Sequence, residues 1–248
     1  MHADMIIWIA TAEDLARSVG RNHVDVLFDI LSDDEHARLN RFRYQRDRDV
    51  YLLAHSLLRI ISAGYLGLPD PAALQFNANS RGKPELAEHV ERFSFNLSHS
   101  GTWVAVGVSE HGPCGVDIEA QRQTRDWPAI ADRFFCASER NAIANSVHPY
   151  STFLGVWTSK EAYLKATGDG LSRGLNSFSV VDATGAWRLD DTNADESASL
   201  TREAGTHYHV AACVLGKEDA SFDFRRVEML DPEALYHMAR QSRRVNMQ

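Results

Sequence analysis

The segment GVDIEA, Gly115 to Ala120, lies near the middle of the chain and is predicted to form a strand. Side chains two residues apart on a strand point to the same face, so Asp117 and Glu119 should lie side by side. Adjacent buried carboxylates repel each other, which leaves a bound cation or full exposure to water. Because the ligands are oxygens, Mg²⁺ is the natural cation. An edge strand with a solvated acidic face is the alternative, and this spacing alone does not choose between the two.

Predicted elements follow a similar order in the two halves of the chain. The first half begins with an apolar run and continues with a helix whose start carries Ser32 and Glu35 in the spacing of a capping box. A longer helix and several short strands come next, and the second half likewise places helices before strand candidates. We therefore predict an α+β fold of two similar lobes, residues 1–116 and 117–248, with the two carboxylates at their junction.

The composition is that of an ordinary globular chain of 248 residues, of which 44% are hydrophobic. A formal net charge of −8 argues against general nucleic-acid binding, because an acidic surface repels phosphates. No segment approaches the roughly 18 to 20 apolar residues of a membrane helix. The first residues do not resemble a secretory signal, and three cysteines without close spacing fit free thiols in a reducing compartment. We expect a cytoplasmic protein that binds neither nucleic acid nor a membrane.

A second group of charged residues lies in WTSKEAYLKATGDG, Trp157 to Gly170. Glu161 and Lys165 are four residues apart on a predicted helix, so an acid and a base share one face. An ordinary surface pair that stabilises the helix by a few tenths of a kcal/mol is the more common meaning of this spacing.

The segment FNLSHSG, Phe95 to Gly101, ends a predicted strand in turn residues. Ser98 and His99 are adjacent, and adjacent side chains on a strand point to opposite faces, which disfavours a Ser-His catalytic pair. Phosphate contacts suit the two side chains better. A structural histidine with satisfied hydrogen bonds is an equal alternative.

A turn in SRGKPEL offers a third set of candidate ligands. Gly82 allows close backbone approach, Lys83 offers a point charge to a phosphate, and Pro84 stiffens the turn. Many hairpin turns share this composition, so the segment is weak evidence by itself.

Taken in order, these segments resemble the 4′-phosphopantetheinyl transferases of the large, surfactin-synthetase-activating type. The resemblance covers roughly residues 41–181, and the ordered set is far more specific than any one member. The segments that carry it are RGKP, FNLSHSG, GVDIE, FFCASE and WTSKEAYLKATGDGLS. It implies two α+β lobes related by a pseudo-two-fold axis, with the active site between them.

Members of this family move the phosphopantetheine arm of coenzyme A to a serine hydroxyl of an apo acyl or peptidyl carrier protein, releasing adenosine 3′,5′-bisphosphate. The resemblance implies that Asp117, Glu119 and Glu161 hold Mg²⁺ against the pyrophosphate of coenzyme A. It also implies that Lys165 contacts the pyrophosphate and stabilises the leaving group. Glu161 is the candidate to take the serine proton, directly or through a metal-bound water, and Glu139 in FFCASE is its rival.

The coenzyme A site implied by the resemblance draws mainly on the first lobe. Lys165 and six further residues make up the predicted contacts, which are Arg46, Gly82, Lys83, Pro84, Ser98 and His99. For the role given to Arg46, Arg43 and Arg48 are alternatives, because they are close neighbours in the chain.

Carrier proteins are typically acidic, so docking requires a local apolar and basic patch on this acidic chain. We expect that patch beside DWPAIADRFF in the second lobe, and we expect a monomer because a two-lobe chain forms its own interface. A metal-dependent nuclease and a non-catalytic module that binds carrier proteins are the alternative functions. The nuclease would leave GKP and FNLSHSG unexplained.

Overall fold

The computed structural model describes residues 3–17, 21–78, 84–87, 93–122, 126–170, 173–228 and 231–242. The first half alternates between strands and helices. Its elements are β1 (Met5–Thr11), α1 (Glu13–Arg17), α2 (Arg21–Asp29), α3 (Asp33–Leu39), α4 (Gln45–Leu66), β2 (Phe76–Ala78), β3 (Pro84–Leu86), β4 (Ser94–Ser100) and β5 (Trp103–Ser109).

The second half opens with the strand that contains the two carboxylates. Its elements are β6 (Cys114–Ala120), α5 (Trp127–Phe134), α6 (Ala137–Ala144), α7 (Pro149–Thr167), β7 (Ser179–Val181), β8 (Trp187–Asp190), β9 (Ala198–Ala204) and β10 (Tyr208–Leu215). A last strand, β11 (Phe222–Arg226), and a last helix, α8 (Pro232–Ser242), follow.

The two halves repeat one topology. In the first half β1 pairs with β5 and β5 with β4, both antiparallel. In the second half β6 pairs with β10 and β10 with β9, again antiparallel. Each half therefore runs from an opening strand through a long helix and a two-stranded ribbon to an antiparallel pair, whose last strand lies beside the opening strand. This repeat confirms the predicted α+β fold of two similar lobes.

The last strand and helix return to the first lobe. β11 runs parallel to β1 and closes its outer edge, while α8 packs against α4. The second copy of the topology begins with β6 at Cys114. The division after residue 116 stays a prediction, because a shared topology defines lobes without defining an independently folding boundary.

Two layers of apolar side chains hold the sheets together. On β1, Ile6 and Trp8 face the core beneath α4, whereas Ile7 packs in a cluster between the two sheets. Val116 and Ile118 of β6 belong to that same cluster and are fully buried. Each such side chain contributes about 1.5–3 kcal/mol by leaving water. Because β6 alternates faces, Asp117 and Glu119 point away from this cluster and toward α7.

The predicted capping box at the start of α3 is confirmed. The Glu35 amide donates to Ser32 Oγ at 3.3 Å, and the Ser32 amide donates to Glu35 Oε2 at 2.9 Å. Two donors at the helix start are satisfied in this way, which stabilises the helix by about 1 kcal/mol.

The two long helices lie on the sheets of their own lobes. α4 contacts β5 and β4, and α7 contacts β6 and β10. Among the helices of the described segments, none combines the length and the hydropathy that crossing a bilayer requires.

Candidate active site

Glycine allows α7 to lie unusually close to β6 at the predicted site. A Cβ added at Gly115 would lie 2.0 Å from the carbonyl oxygen of Ala162 and 2.6 Å from the amide nitrogen of Ala166. Any larger residue would push the helix away from the strand. This close approach brings Glu161 and Lys165 of α7 to the face of β6 that carries Asp117.

Lys165 is bonded directly to the first of the two strand acids. Its Nζ donates to Asp117 Oδ1 at 2.7 Å, to Ser98 Oγ at 2.9 Å and to the Val116 carbonyl oxygen at 3.1 Å. Ser98 in turn donates its hydroxyl to Asp117 Oδ1 at 2.9 Å. The site therefore joins β4, β6 and α7, which belong to both lobes.

Glu119 is held by different partners. Ser100 donates to Glu119 Oε2 at 2.5 Å, and a hydrogen bond from Trp157 lowers the pKa of this carboxyl. Burial is the largest influence on Glu119, and together with the nearby charge of Asp117 it raises the pKa above its ordinary value. The Trp157 side chain is half-buried: it packs against the core of the second lobe and also reaches Glu119.

The other two acids also have raised pKa values. Burial raises the pKa of Asp117, and the Lys165 charge and the hydrogen bonds from Lys165 and Ser98 oppose this effect. Burial and then the Asp117 charge raise the pKa of Glu161 to about 7, although the Lys165 charge opposes them. The three carboxylates thus repel one another, and one lysine does not compensate the repulsion.

Two buried carboxylate oxygens in this group, Asp117 Oδ2 and Glu161 Oε1, accept no hydrogen bond from any described residue. Buried acceptors normally have partners, so each calls for an explanation. A hard divalent cation would supply it, because oxygen ligands suit Mg²⁺ and its charge would remove the repulsion. The residues present therefore fit a magnesium ion.

The three carboxylates of Asp117, Glu119 and Glu161 do not surround a common point in this structure. Within the described residues, no group of three His, Cys, Asp or Glu side chains has the geometry of a metal site. Asp117 Oδ1 faces Lys165 and Glu119 Oε2 faces Ser100, so both acids have other partners. The ligand set of Asp117, Glu119 and Glu161 stays a prediction.

The rival base is placed very differently. Glu139 is fully buried and accepts hydrogen bonds from the amides of Cys136 and Val180, at 2.8 and 2.9 Å. It also forms an ion pair with Lys160, with 2.8 Å between Nζ and Oε1. A carboxylate with these partners has a structural role and cannot reach a substrate hydroxyl.

The predicted coenzyme A contacts are only partly brought together. Ser98 is buried, and its hydroxyl also accepts from the Ile118 amide at 3.3 Å, so a phosphate contact would require it to change partners. His99 is exposed beside it, and partial desolvation, then the charge of Lys165, lower its pKa. Both roles stay predictions.

The remaining contacts lie farther along the first lobe. Arg46 reaches the turn after β4, because a Cβ added at Gly101 would lie 3.6 Å from its Nη2. Pro84 begins β3 and pairs with Ala78 of β2. Gly82 and Lys83 lie outside the described residues.

Four residues at the site were not predicted from the sequence as part of it: Asn96, Ser100, Gly115 and Trp157. Asn96 and Ser100 share one face of β4 with Ser98, and all three bond β6. The alternation of polar and other residues in SFNLSHS was the available signal, because it shows that one whole face of the strand is polar.

Comparison with known proteins bears on this geometry. Residues 113–213 match the model of the 4′-phosphopantetheinyl transferase superfamily, and residues 20–111 match that of the 4′-phosphopantetheinyl transferase N-terminal region. The boundary between the two matches falls just before β6. Each lobe is therefore recognised separately.

Individual relatives differ in how much of their length is matched. The chain is 33% identical over 214 residues to the 4′-phosphopantetheinyl transferase psf-1 of Bacillus pumilus, a match that covers 84% of this chain and 89% of the relative. It is 39% identical over 147 residues to the 4′-phosphopantetheinyl transferase HetI of a Nostoc strain. That second match covers 58% of this chain and spans 62% of the relative's length.

A solved holo-(acyl-carrier-protein) synthase from Bacillus anthracis, in complex with coenzyme A, is also similar. It is 23% identical, with a TM-score of 0.38, over 43% of this chain and 96% of that one.

The sequence matches over both lobes define the class of protein. The chain belongs to the 4′-phosphopantetheinyl transferase superfamily. The family resemblance stated from the ordered segments, including its surfactin-activating type, is thereby confirmed.

Proposed function

We propose that this protein transfers the 4′-phosphopantetheine arm of coenzyme A to a serine hydroxyl of an apo acyl or peptidyl carrier protein. The reaction depends on Mg²⁺ and releases adenosine 3′,5′-bisphosphate. The observation that carries the proposal is the pair of buried carboxylate oxygens on Asp117 and Glu161 that lack a hydrogen-bond partner in the described chain, next to Lys165.

Asp117, Glu119 and Glu161 would hold the magnesium ion, which when bound neutralises charge on the pyrophosphate oxygens and orients them. Lys165 lies beside these acids, on the same face of α7 as Glu161. Its ammonium can stabilise charge on the departing bisphosphate, since it is already directed into the site by Asp117 and Ser98.

Glu161 is the better candidate to accept the proton of the attacking serine. It lies at the junction of the lobes, whereas Glu139 is enclosed in an ion pair. A base must come within hydrogen-bond reach of the proton that it removes, and a fully buried carboxylate cannot.

The first lobe would bind the nucleotide end of coenzyme A. His99 is exposed at the end of β4 next to Lys165, where an imidazole can donate to a phosphate. Arg46 lies across the following turn and offers a second cation. Gly82, Lys83 and Pro84 remain candidates for the adenine side.

The carrier protein would dock on the second lobe near α5. Phe134 is 36% exposed at the end of this helix, and Arg133 lies against its ring at 5.1 Å. An apolar ring flanked by a cation suits an acidic partner that also has an apolar contact surface. A monomeric state and a cytoplasmic location stay predictions.

The test is a transfer assay with an apo acyl carrier protein, coenzyme A and Mg²⁺, read by intact-protein mass. We expect the carrier to gain the mass of one phosphopantetheine group and adenosine 3′,5′-bisphosphate to appear in equal amount. Chelation with EDTA should stop both, and added Mg²⁺ should restore them. Cleavage of DNA without any change of carrier mass would contradict the proposal in favour of a nuclease.

A further inference from the structure

β4 contacts β6 through side chains rather than through backbone pairing. Alternate β4 residues each present a side-chain oxygen to an amide of β6. The three bonds are Cys114 N to Ser94 Oγ at 3.1 Å, Val116 N to Asn96 Oδ1 at 3.0 Å and Ile118 N to Ser98 Oγ at 3.3 Å. We call Ser94, Asn96 and Ser98 the β4 side-chain ladder.

The spacing of these bonds fixes how the two strands run. Each bond joins residues 20 positions apart in the chain. A constant difference means that the strands run parallel and in register over the whole ladder. β6 is an edge strand whose other side pairs with β10, so the ladder oxygens occupy the edge where a neighbouring strand would offer carbonyls.

The same face of β4 continues into the candidate active site. Ser98 donates to Asp117 Oδ1 at 2.9 Å, and Ser100 donates to Glu119 Oε2 at 2.5 Å. A shift of the lobes by one repeat of the ladder, about 7 Å, would break both bonds: one hydroxyl would move opposite the other acid, and the second hydroxyl would face no acid. The register between the lobes thus decides which polar group meets which carboxylate.

We propose that Asn96 is a positioning residue: it holds the register between β4 and β6 and so places the acids of the site. Asn96 is the centre of the ladder, and only 5% of it is exposed. Its oxygen bonds the amide of Val116, which directly precedes Asp117 in the chain. Loss of that acceptor leaves a buried N–H without its partner, which favours a shift of β6.

The test compares Asn96→Leu, which keeps the branched shape and the number of side-chain heavy atoms but removes the acceptor, with Ser109→Ala as control. Ser109 is equally buried on the neighbouring strand, and its hydroxyl bonds the Asp4 carbonyl and the His111 amide, away from β6. Both variants lose a buried acceptor, so their global stabilities should fall by similar amounts.

The first measurement is amide hydrogen exchange in the intact protein. Relative to the control, Asn96→Leu should raise exchange about ten-fold at Val116 and also at Cys114 and Ile118, since the ladder acts as a unit. Unchanged exchange at all three amides, or a rise at Val116 alone, would overturn the role given to Asn96.

The second measurement rests on the proposed transferase function. In Asn96→Leu, kcat should fall at least about ten-fold with little change in the KM for coenzyme A, because misplaced catalytic groups slow the reaction more than they weaken binding. Asn96→Ser, which retains an oxygen, should recover part of this loss and replaces the leucine variant if that one does not fold. A kcat equal to that of Ser109→Ala would contradict positioning. Absence of transfer in the unmodified protein would instead contradict the proposed function while leaving the exchange result valid.

Discussion

The two long helices, one in each lobe, are anchored in the same way. Arg59 of α4 is 2% exposed and bonds Glu35 of α3, with 2.7 Å between Nε and Oε2. Lys160 of α7 is fully buried and forms its ion pair with Glu139 of α6. In both lobes the glutamate is also the third helical residue of a capping box, with Ser32 as the cap in one case and Cys136 in the other.

The equivalence extends to the chain that follows each helix. Arg59 Nη1 donates to the Leu74 carbonyl at 2.9 Å, and Lys160 Nζ donates to the Leu175 and Phe178 carbonyls at 2.7 and 2.6 Å. Each cation therefore ties a short helix, a long helix and the segment after it. Both long helices end at a left-handed glycine, Gly67 and Gly168.

From these shared anchors the two lobes diverge. In α7 the residues one and five positions after Lys160 are Glu161 and Lys165. The corresponding residues of α4 are Ile60 and Gly64, both in the interior. In the seven-residue strands, Asp117 and Glu119 of β6 take the positions of Trp8 and Ala10 in β1. Their counterparts in the first lobe lie in the interior, whereas four side chains of the second lobe face the site: Asp117, Glu119, Glu161 and Lys165.

The edges of the opening strands explain the difference. β11 pairs with the outer edge of β1, and the side chains of β1 that face α4 are apolar. The outer edge of β6 meets the polar side chains of β4 instead. The first copy of the fold thus has a closed apolar core. The second copy has a polar contact between strands, where hydrogen bonds reduce the cost of burying charged groups.

The strongest way to break this comparison is to remove a charge from the second lobe. Asp117→Asn and Glu161→Gln should each lower the transfer rate by at least about a thousand-fold, because the proposed cation loses a ligand. Thermal stability should stay the same or rise, since repulsion among the acids decreases. Initial rates and thermal unfolding curves check both effects.

The exposed acid Asp190 of β8 provides the matched control for these variants. Asp190→Asn should retain full transfer activity. Normal activity of Glu161→Gln would show that the divergence between the lobes has no catalytic meaning.

Breaking the shared anchors should give nearly equal effects in the two lobes. Arg59→Met and Lys160→Met each remove the arginine or lysine that is paired with a glutamate, half-buried Glu35 in one lobe and fully buried Glu139 in the other, at a cost of about 3–5 kcal/mol in the free energy of unfolding. Urea denaturation measures the loss. A second change, Glu139→Gln on top of Lys160→Met, should restore part of the stability because the unpaired charge disappears.

A clear inequality between the two anchors would refute their equivalence. If Lys160→Met were strongly destabilising and Arg59→Met neutral, the resemblance of their contacts would be coincidental.

Acid should weaken the anchor of the first lobe in a defined range. Burial by itself would raise the pKa of Glu35, but hydrogen bonds from His55 and the Ser32 amide, with the Arg59 charge, lower it to about 2 from 4.5. A lowered carboxyl pKa contributes stability above pH 4.5 that is lost as the pH falls toward 2. This contribution is up to about 3 kcal/mol.

The measurement is the free energy of unfolding of the unmodified protein and of Glu35→Gln between pH 7 and pH 2. The difference between them should be constant at neutral pH and shrink through the acid range. A difference that does not change with pH would show that the pKa of Glu35 is not lowered by folding.

The smallest expected effect concerns the contact between α7 and β6. Gly115→Ala forces a Cβ against the Ala162 carbonyl and should lower kcat about a hundred-fold by displacing Glu161 and Lys165. Gly185→Ala is the control: its φ of +86° strains the backbone when alanine is introduced, but a Cβ there meets nothing within 4 Å, so kcat should not change. Equal kcat values in the two variants would show that the close approach does not position the site.

Sequence patterns predicted much of this molecule because many of its features are local. Helical spacing, the Ser32 capping box and the alternation along β6 depend on residues close together in the chain, and the structure has all three. The repeat was harder to see, since its anchors use different letters: Arg59 corresponds to Lys160, and Ser32 to Cys136. Equivalent physical roles do not require equivalent residues.

The site shows where such prediction ends. That Asp117 and Glu119 share a face follows from the period of a strand, and the ordered segments indicated their family. The side chain of Trp157 is large and apolar, which favours the core, but its ring also carries a hydrogen-bond donor. Its contact with Glu119 could not be inferred from spacing.

By itself, the sequence determined the α+β class, the two lobes, the family and the shared strand face of Asp117 and Glu119. The tertiary structure alone decided that β4 supplies Asn96, Ser98 and Ser100 to the edge of β6, and that Glu139 is enclosed with Lys160. The physical reason is that the register between strands 20 residues apart depends on how two lobes pack. Neighbours in the chain do not encode that packing.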